Sequence, residues 1–207
     1  MKIPLRYQIS EYDCGPTSVL NGISFLFERE QIPPELIRNI MLYCLDCYGA
    51  GGAAGKNGTS RAAMMFLANW MNGFGKTGEL SVSAAHIAGN SVSLGTDSLL
   101  DDALRCGGAA VVRLWFDEWH YVLLTKEEDG QIYFFDPYYH PESFPFAPDI
   151  KIIRDHPTAY NRICPAARFN KTEKNVYAFG PEQEREALLL FNEKTKLTAE
   201  KTIEYFI

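Results

Sequence analysis

The apolar residues of this chain change their spacing once, near Gly107-Gly108, and that change limits the folds open to it. Before it, Val19, Leu20, Ile23, Leu26 and Phe27 recur at helical spacing. Leu36, Ile37, Ile40, Met41 and Cys44 do the same, and so do Met64, Met65, Leu67, Ala68 and Met71. After it, "AAVVRLWF" (109–116), "WHYVLLT" (119–125) and "QIYFFD" (131–136) are rich in β-branched and aromatic residues, and "EEDG" separates the last two as a hairpin turn. Helices first and antiparallel strands second predict an α+β fold.

The boundaries follow from local signals. A first helix is expected from Asp13 or Cys14 to about Glu30, with Asp13 as N-cap and Pro16 tolerated in the first turn. A second should span Pro34 to Cys47, and a third Arg61 to Met71, capped by Ser60. One short strand is expected within 80–94, then a capped helix from Ser98 that stops at Gly107. "DIKII" (149–153) and "NVYAFG" (175–180) read as weaker strands, "REALLLF" (185–191) as strand or helix, and "TAEKTIEYF" (198–206) as helix. With 207 residues the chain can bury about 70% of its unfolded surface without cross-links, as one domain. Residues 1–107 are read as its mainly helical part, 108–180 as mainly antiparallel strands and 181–207 as a C-terminal extension.

Charge and composition narrow the partners. A net charge of −6 with no basic run argues against nucleic acid. The N-terminus has no apolar h-region, and no stretch reaches the ~18 apolar residues of a membrane span, so a cytoplasmic location is expected. "YGAGGAAGKNGTS" (48–60) only superficially resembles a phosphate-binding loop: that pattern needs glycine at 50 and Ser or Thr at 57, where the chain has Ala50 and Asn57. It reads as a mobile loop beside a substrate cleft or as a plain linker. The five cysteines, odd in number and without an export signal, are expected as free thiols. Cys44 and Cys47 form a Cys-x-x-Cys with no second pair, better read as small apolar residues of the second helix than as half a zinc site.

The stretch "QISEYDCGPTSVLNGISFLF" (8–27) carries chemistry. A thiolate at a helix N-terminus lies at the positive end of the helix dipole. Gly15 would leave room for a substrate. The Cys14 N–H lies in the first turn, where it has no intrahelical partner, and can face an oxyanion, with the Gln8 amide as a second donor. The thiol then needs a base, oriented by a third group. Of His86, His120, His140 and His156, His120 has the best context, at the start of a strand with Asp136 ending the next. In a hairpin, paired residue numbers have a constant sum. A five-residue loop gives 256 and sets His120 opposite Asp136; a three-residue loop gives 258 and sets them diagonal on one face. A four-residue loop gives 257 and parts them. Trp115, Phe116 and Trp119 read as core or cleft wall, and "FFDPYYHPESFPF" (134–146) as cleft rim or core cover.

Gln8 six residues before Cys14, Asp13-Cys14-Gly15, His120, and Asp136-Pro137 sixteen residues on resemble the papain-like cysteine peptidases of the bacteriocin-processing, double-glycine-leader type. The resemblance covers roughly residues 7–140. It implies a papain-like fold with a helical layer against an antiparallel sheet. It makes Cys14 the nucleophile, His120 the general base and acid, Asp136 the orienter and Gln8 the oxyanion donor. The substrate would be a peptide or protein, and neither metal nor cofactor is called for. Two alternatives stay open: transfer of the acyl group to an amine or alcohol, as in acyltransferases and transglutaminases of that shape, and a non-catalytic peptide-binding domain.

Overall fold

The computed structural model describes residues 1–198 and is α+β. The elements are α1 (Cys14–Leu26), α2 (Pro34–Cys44), α3 (Arg61–Gly75), β1 (Val82–Ala88), α4 (Leu99–Arg105), β2 (Ala109–Phe116), β3 (Glu118–Glu128), β4 (Gln131–Phe135), β5 (Lys151–Ile152), β6 (Arg162–Pro165), α5 (Ala166–Phe169) and β7 (Glu186–Asn192). The strands form one seven-stranded sheet in the order β1-β7-β2-β3-β4-β6-β5, every pair antiparallel. Among the described residues no helix is long and apolar enough to cross a membrane.

The sheet is covered on both faces, so its central strands are apolar without alternation. Val111, Tyr121, Leu123, Phe135, Leu188 and Leu190 pack against α1, α2 and α3 through Val19, Ile23, Leu36, Ile40, Met64, Leu67 and Met71. Ala110, Val112, Leu114, Val122, Leu124 and Phe134 face a second core with Leu100 and Leu104 of α4, Phe169 of α5, and Tyr177 and Phe179. Residues beyond 141 thus supply much of the cover of this second face. β7, expected within a C-terminal extension, runs between β1 and β2 with every residue buried.

Several boundaries differ from expectation for local reasons. α1 stops at Leu26 because Phe27 turns extended and buries its ring, and a short 3₁₀ turn, Arg29–Gln31, follows. α2 ends at Cys44, which leaves Cys47 in the following loop, and α3 runs on to Gly75. Residues 175–180 do not form a strand: Tyr177 has φ +62°, which breaks the pleat, and only the Trp115–Ala178 bridge survives. β6 and α5 had no legible sequence signal. The helix expected over 198–206 lies, from residue 199, outside the described residues.

One irregularity decides the site. β3 and β4 join through a two-residue turn, Asp129-Gly130, with φ +51° and +73°, the left-handed pair of a tight hairpin. Near the turn the paired residue numbers add to 259, as in Glu128↔Gln131 and Lys126↔Tyr133. Thr125 is then bulged out, and Leu124↔Phe134 and Leu123↔Phe135 add to 258. At 259 His120 and Asp136 would lie on opposite faces; at 258 they share one. The loop is shorter than either length expected to align them, and the bulge restores the alignment.

Candidate active site

The N-terminal segment and α1 bring Gln8 and Cys14 to the start of β3. The Gln8 N–H donates to Pro137 O at 2.8 Å, and the Leu5 N–H to Pro157 O at 2.7 Å. Asn21 of α1 bonds the backbone of Arg6 in both directions, its Oδ1 accepting at 2.8 Å and its Nδ2 donating at 2.9 Å. Further along α1, the Ser18 hydroxyl donates to Tyr121 O at 3.0 Å. β3 runs past its last pairing with β4, Leu123↔Phe135, so His120 stands on a flank that β4 no longer covers.

Asp13 is the N-cap residue of α1, as expected, but its side chain makes no capping hydrogen bond. Its carboxylate turns back into the preceding loop, accepting from the Ile9 N–H at 3.0 Å and from the Ser10 N–H and hydroxyl at 2.7 and 2.8 Å. Burial raises the proton affinity of this group, but those donors outweigh it and hold the carboxyl below its usual range. The turn from Gln8 to Cys14 is thereby closed. The first helical bond, Thr17 N–H to Asp13 O, lies three residues beyond Cys14, and the Cys14 N–H has no partner among the described residues.

His120 Nε2 lies 2.8 Å from Asp136 Oδ1, so Nδ1 is the ring nitrogen that this carboxylate does not engage. Burial alone would lower the imidazole's pKa. The Asp136 charge and hydrogen bond, followed by Cys14 through both hydrogen bonding and charge, outweigh it and raise the value to about 10. Asp136 is wholly buried and fully engaged. Its Oδ1 also accepts from the Tyr138 N–H at 2.8 Å, and its Oδ2 accepts from the Tyr177 hydroxyl at 2.6 Å. Asn161, just before β6, clamps its backbone with two 2.8 Å bonds. Burial raises the carboxyl's pKa, but His120, then Tyr177 and Tyr138, hold it below the usual range. Tyr177 is itself a backbone outlier: left-handed φ in an aromatic residue costs on the order of 1–3 kcal/mol.

The structure therefore brings Cys14, His120 and Asp136 together. Gln8 lines the same cleft; its Nε2 donates one hydrogen to Ser10 O at 2.8 Å and keeps a second, while its Oε1 is buried without a partner. The cleft encloses about 940 Å³. Trp115, Phe116, Trp119 and Tyr138 line it, together with Cys47, Gly58, Thr59 and Ser60. The glycine-rich loop is tied by the Cys47 N–H to Gly58 O and the Gly55 N–H to Cys47 O, and Asp46 accepts from the Ser60 N–H at 2.8 Å. Gly15 does not open space for a substrate as expected. A Cβ there would overlap the Thr59 hydroxyl and lie 2.8 Å from Thr59 Cβ, so the missing side chain admits the loop.

The other cysteines and histidines have separate settings. Burial pushes the Cys44 thiol far up and Cys164 up to about 12, and burial followed by Asp46 raises Cys47. His86 Nε2 meets Glu186 Oε2 at 3.2 Å inside a buried cluster. There Glu186 also accepts from the Tyr121 hydroxyl at 2.9 Å and pairs with Arg113 at 3.2 Å. His140 packs on Phe144, and His156 stacks on Tyr160. Among the described residues no three His, Cys, Asp or Glu side chains cluster to hold a metal ion. Sequence reasoning missed Ser18, Asn161 and Tyr177. Their partners lie 103, 25 and 41 residues away, and no local spacing marks them. Comparison with known proteins returned no matching family model and no matching curated protein.

Proposed function

We propose that this chain is a cysteine peptidase of papain-like fold that hydrolyses a peptide or amide bond through a thioester. The observation that carries the reading is the chain of contacts from Asp136 to His120 to a cysteine at the mouth of a helix, beside an open cleft.

The proposed reaction runs through an acyl-thioester in two halves. The Cys14 sulfur, its proton held by His120 Nδ1, attacks the substrate carbonyl carbon, and the carbonyl electron pair moves to oxygen. The Cys14 N–H and the second hydrogen of the Gln8 amide are the donors for that oxyanion, and losing one such donor costs about 10²–10³ in rate. The intermediate collapses; the C–N bond breaks and His120 protonates the leaving amine. Water, deprotonated by His120, then attacks the thioester, releasing the carboxylic acid and returning the thiol. Asp136 keeps the imidazole in one orientation and balances its charge as it gains the proton.

A blocked dipeptide nitrophenyl ester tests this directly. An acyl group should appear on Cys14 by peptide mapping, disappear in Cys14→Ala, form more slowly in His120→Ala, and be discharged by water. Acylation confined to lysines, or unchanged in Cys14→Ala, contradicts the reading. Discharge that speeds up with added amine assigns the same thioester to acyl transfer instead.

A further inference from the structure

Tyr177 belongs to the second core, yet its backbone conformation is one that an aromatic residue adopts only at a cost. Its backbone is left-handed at φ +62°, a conformation that glycine adopts without strain, yet an aromatic residue occupies it. The backbone on either side is pinned: the Tyr177 N–H donates to Trp115 O at 2.8 Å, and the Phe179 N–H to Phe169 O at 2.7 Å. The ring is fully buried and packs on Phe116, Phe134 and Phe144. This rigid mount carries one polar atom, and that atom donates to Asp136 Oδ2 at 2.6 Å.

We infer that Tyr177 is a positioning residue of the Cys14–His120–Asp136 site, holding the outer carboxylate oxygen so that the inner one stays aimed at the imidazole. The inference rests on the cysteine-nucleophile reading. A carboxylate with only one oxygen anchored can rotate about its Cβ–Cγ bond. Here the Tyr138 N–H and His120 hold Oδ1, the Tyr177 hydroxyl holds Oδ2, and rotation would break all three bonds. Without the hydroxyl, Oδ2 would be a buried anionic oxygen lacking its donor, and the carboxyl would take up a proton at higher pH. A protonated Asp136 no longer balances an imidazolium. The titratable and charged groups around this pair are Cys14 of α1, His120 of β3, Asp136 after β4, and Arg162 of β6, which lies beside the Tyr177 hydroxyl. Arg162 is itself anchored to Asn161 O and His140 O at 2.9 and 2.8 Å, so the segment beyond residue 141 braces the triad from behind.

The test is the rate of Cys14 alkylation by iodoacetamide against pH, which needs no substrate. In Tyr177→Phe the acid limb of the profile should move up by about one pH unit, with alkylation near its foot falling about tenfold, the size of one hydrogen bond to a charged group. Should the Phe variant not fold, 3-fluorotyrosine at 177 keeps the ring and strengthens the donor, and the limb should move down. A limb unmoved by 3-fluorotyrosine, or moved down in the Phe variant, overturns the inference while leaving Cys14 as the nucleophile. Wild-type protein whose Cys14 shows no reactivity in the acid range overturns the cysteine reading itself, whatever Tyr177 does.

Discussion

The Ser18 hydroxyl donates to the backbone carbonyl of Tyr121 at 3.0 Å, and this bond joins the two halves of the site. Ser18 lies one helical turn after Cys14, and Tyr121 is the residue after His120. The bond therefore fixes α1 to β3 next to Cys14 and His120. Ser18→Ala should lower stability by about 1 kcal/mol, the usual size of one hydrogen bond. It should slow Cys14 alkylation while leaving that of the more exposed Cys47 unchanged. Urea unfolding and cysteine-resolved alkylation check the two effects.

Gly15 is required by packing. Its Cα faces the Thr59 side chain so closely that any Cβ must displace it. Gly15→Ala should destabilise by on the order of 1–3 kcal/mol, the range for overpacking. Adding Thr59→Gly should recover part of the loss, because the two sites are in direct contact. A double-mutant cycle with no coupling would show that the loop does not pack there.

The pH dependence of stability has a definite sign. The His120 pKa is raised on folding, to about 10, so protonated His120 stabilises the native state below its unfolded value of about 6.5. This contribution should be lost as pH climbs from there toward 10. Asp136 shifts the other way: its contribution is present above the ordinary carboxylate pKa and lost as pH falls through its lowered native value. Urea unfolding across the alkaline range should show wild-type stability declining more steeply than that of His120→Gln.

Two glutamates separate buried from surface pairing. Glu186 is almost wholly buried, with Tyr121, Arg113 and His86 around it. Glu186→Ala removes one member and leaves Arg113 without its buried counter-charge, which should cost about 3–5 kcal/mol. Glu128 pairs with Lys126 in solvent at 2.8 Å, and Glu128→Ala should leave the unfolding midpoint where it was.

The α+β class, the three long helices and the central strands were legible because each buries an apolar face at its own period. Cys14, His120 and Asp136 stood out as candidates because each sits in a telling local setting: a helix mouth, a strand start, a strand end. Their alignment was not legible. It depends on Thr125 leaving the β3–β4 ladder, and nothing in "LLTKEE" marks one residue for a bulge. Asp13 takes the N-cap position it was read into, yet the N–H groups of Ile9 and Ser10 compete for its carboxylate and win. Tyr177 was read into a strand because "NVYAFG" has strand composition, and only tertiary packing places it at φ +62°.

In the proposed mechanism the Cys14 sulfur reacts because His120, steadied by Asp136, holds its proton. The most direct measurement is the rate of iodoacetamide alkylation at each of the five cysteines, resolved by peptide mass, in mildly acid solution. Cys14 should react first despite its burial, ahead of the more exposed Cys47 and Cys106, and lose that lead in His120→Ala. Labelling that begins at Cys47 or Cys106, with Cys14 silent in the folded protein, would rule out a thiol activated by His120.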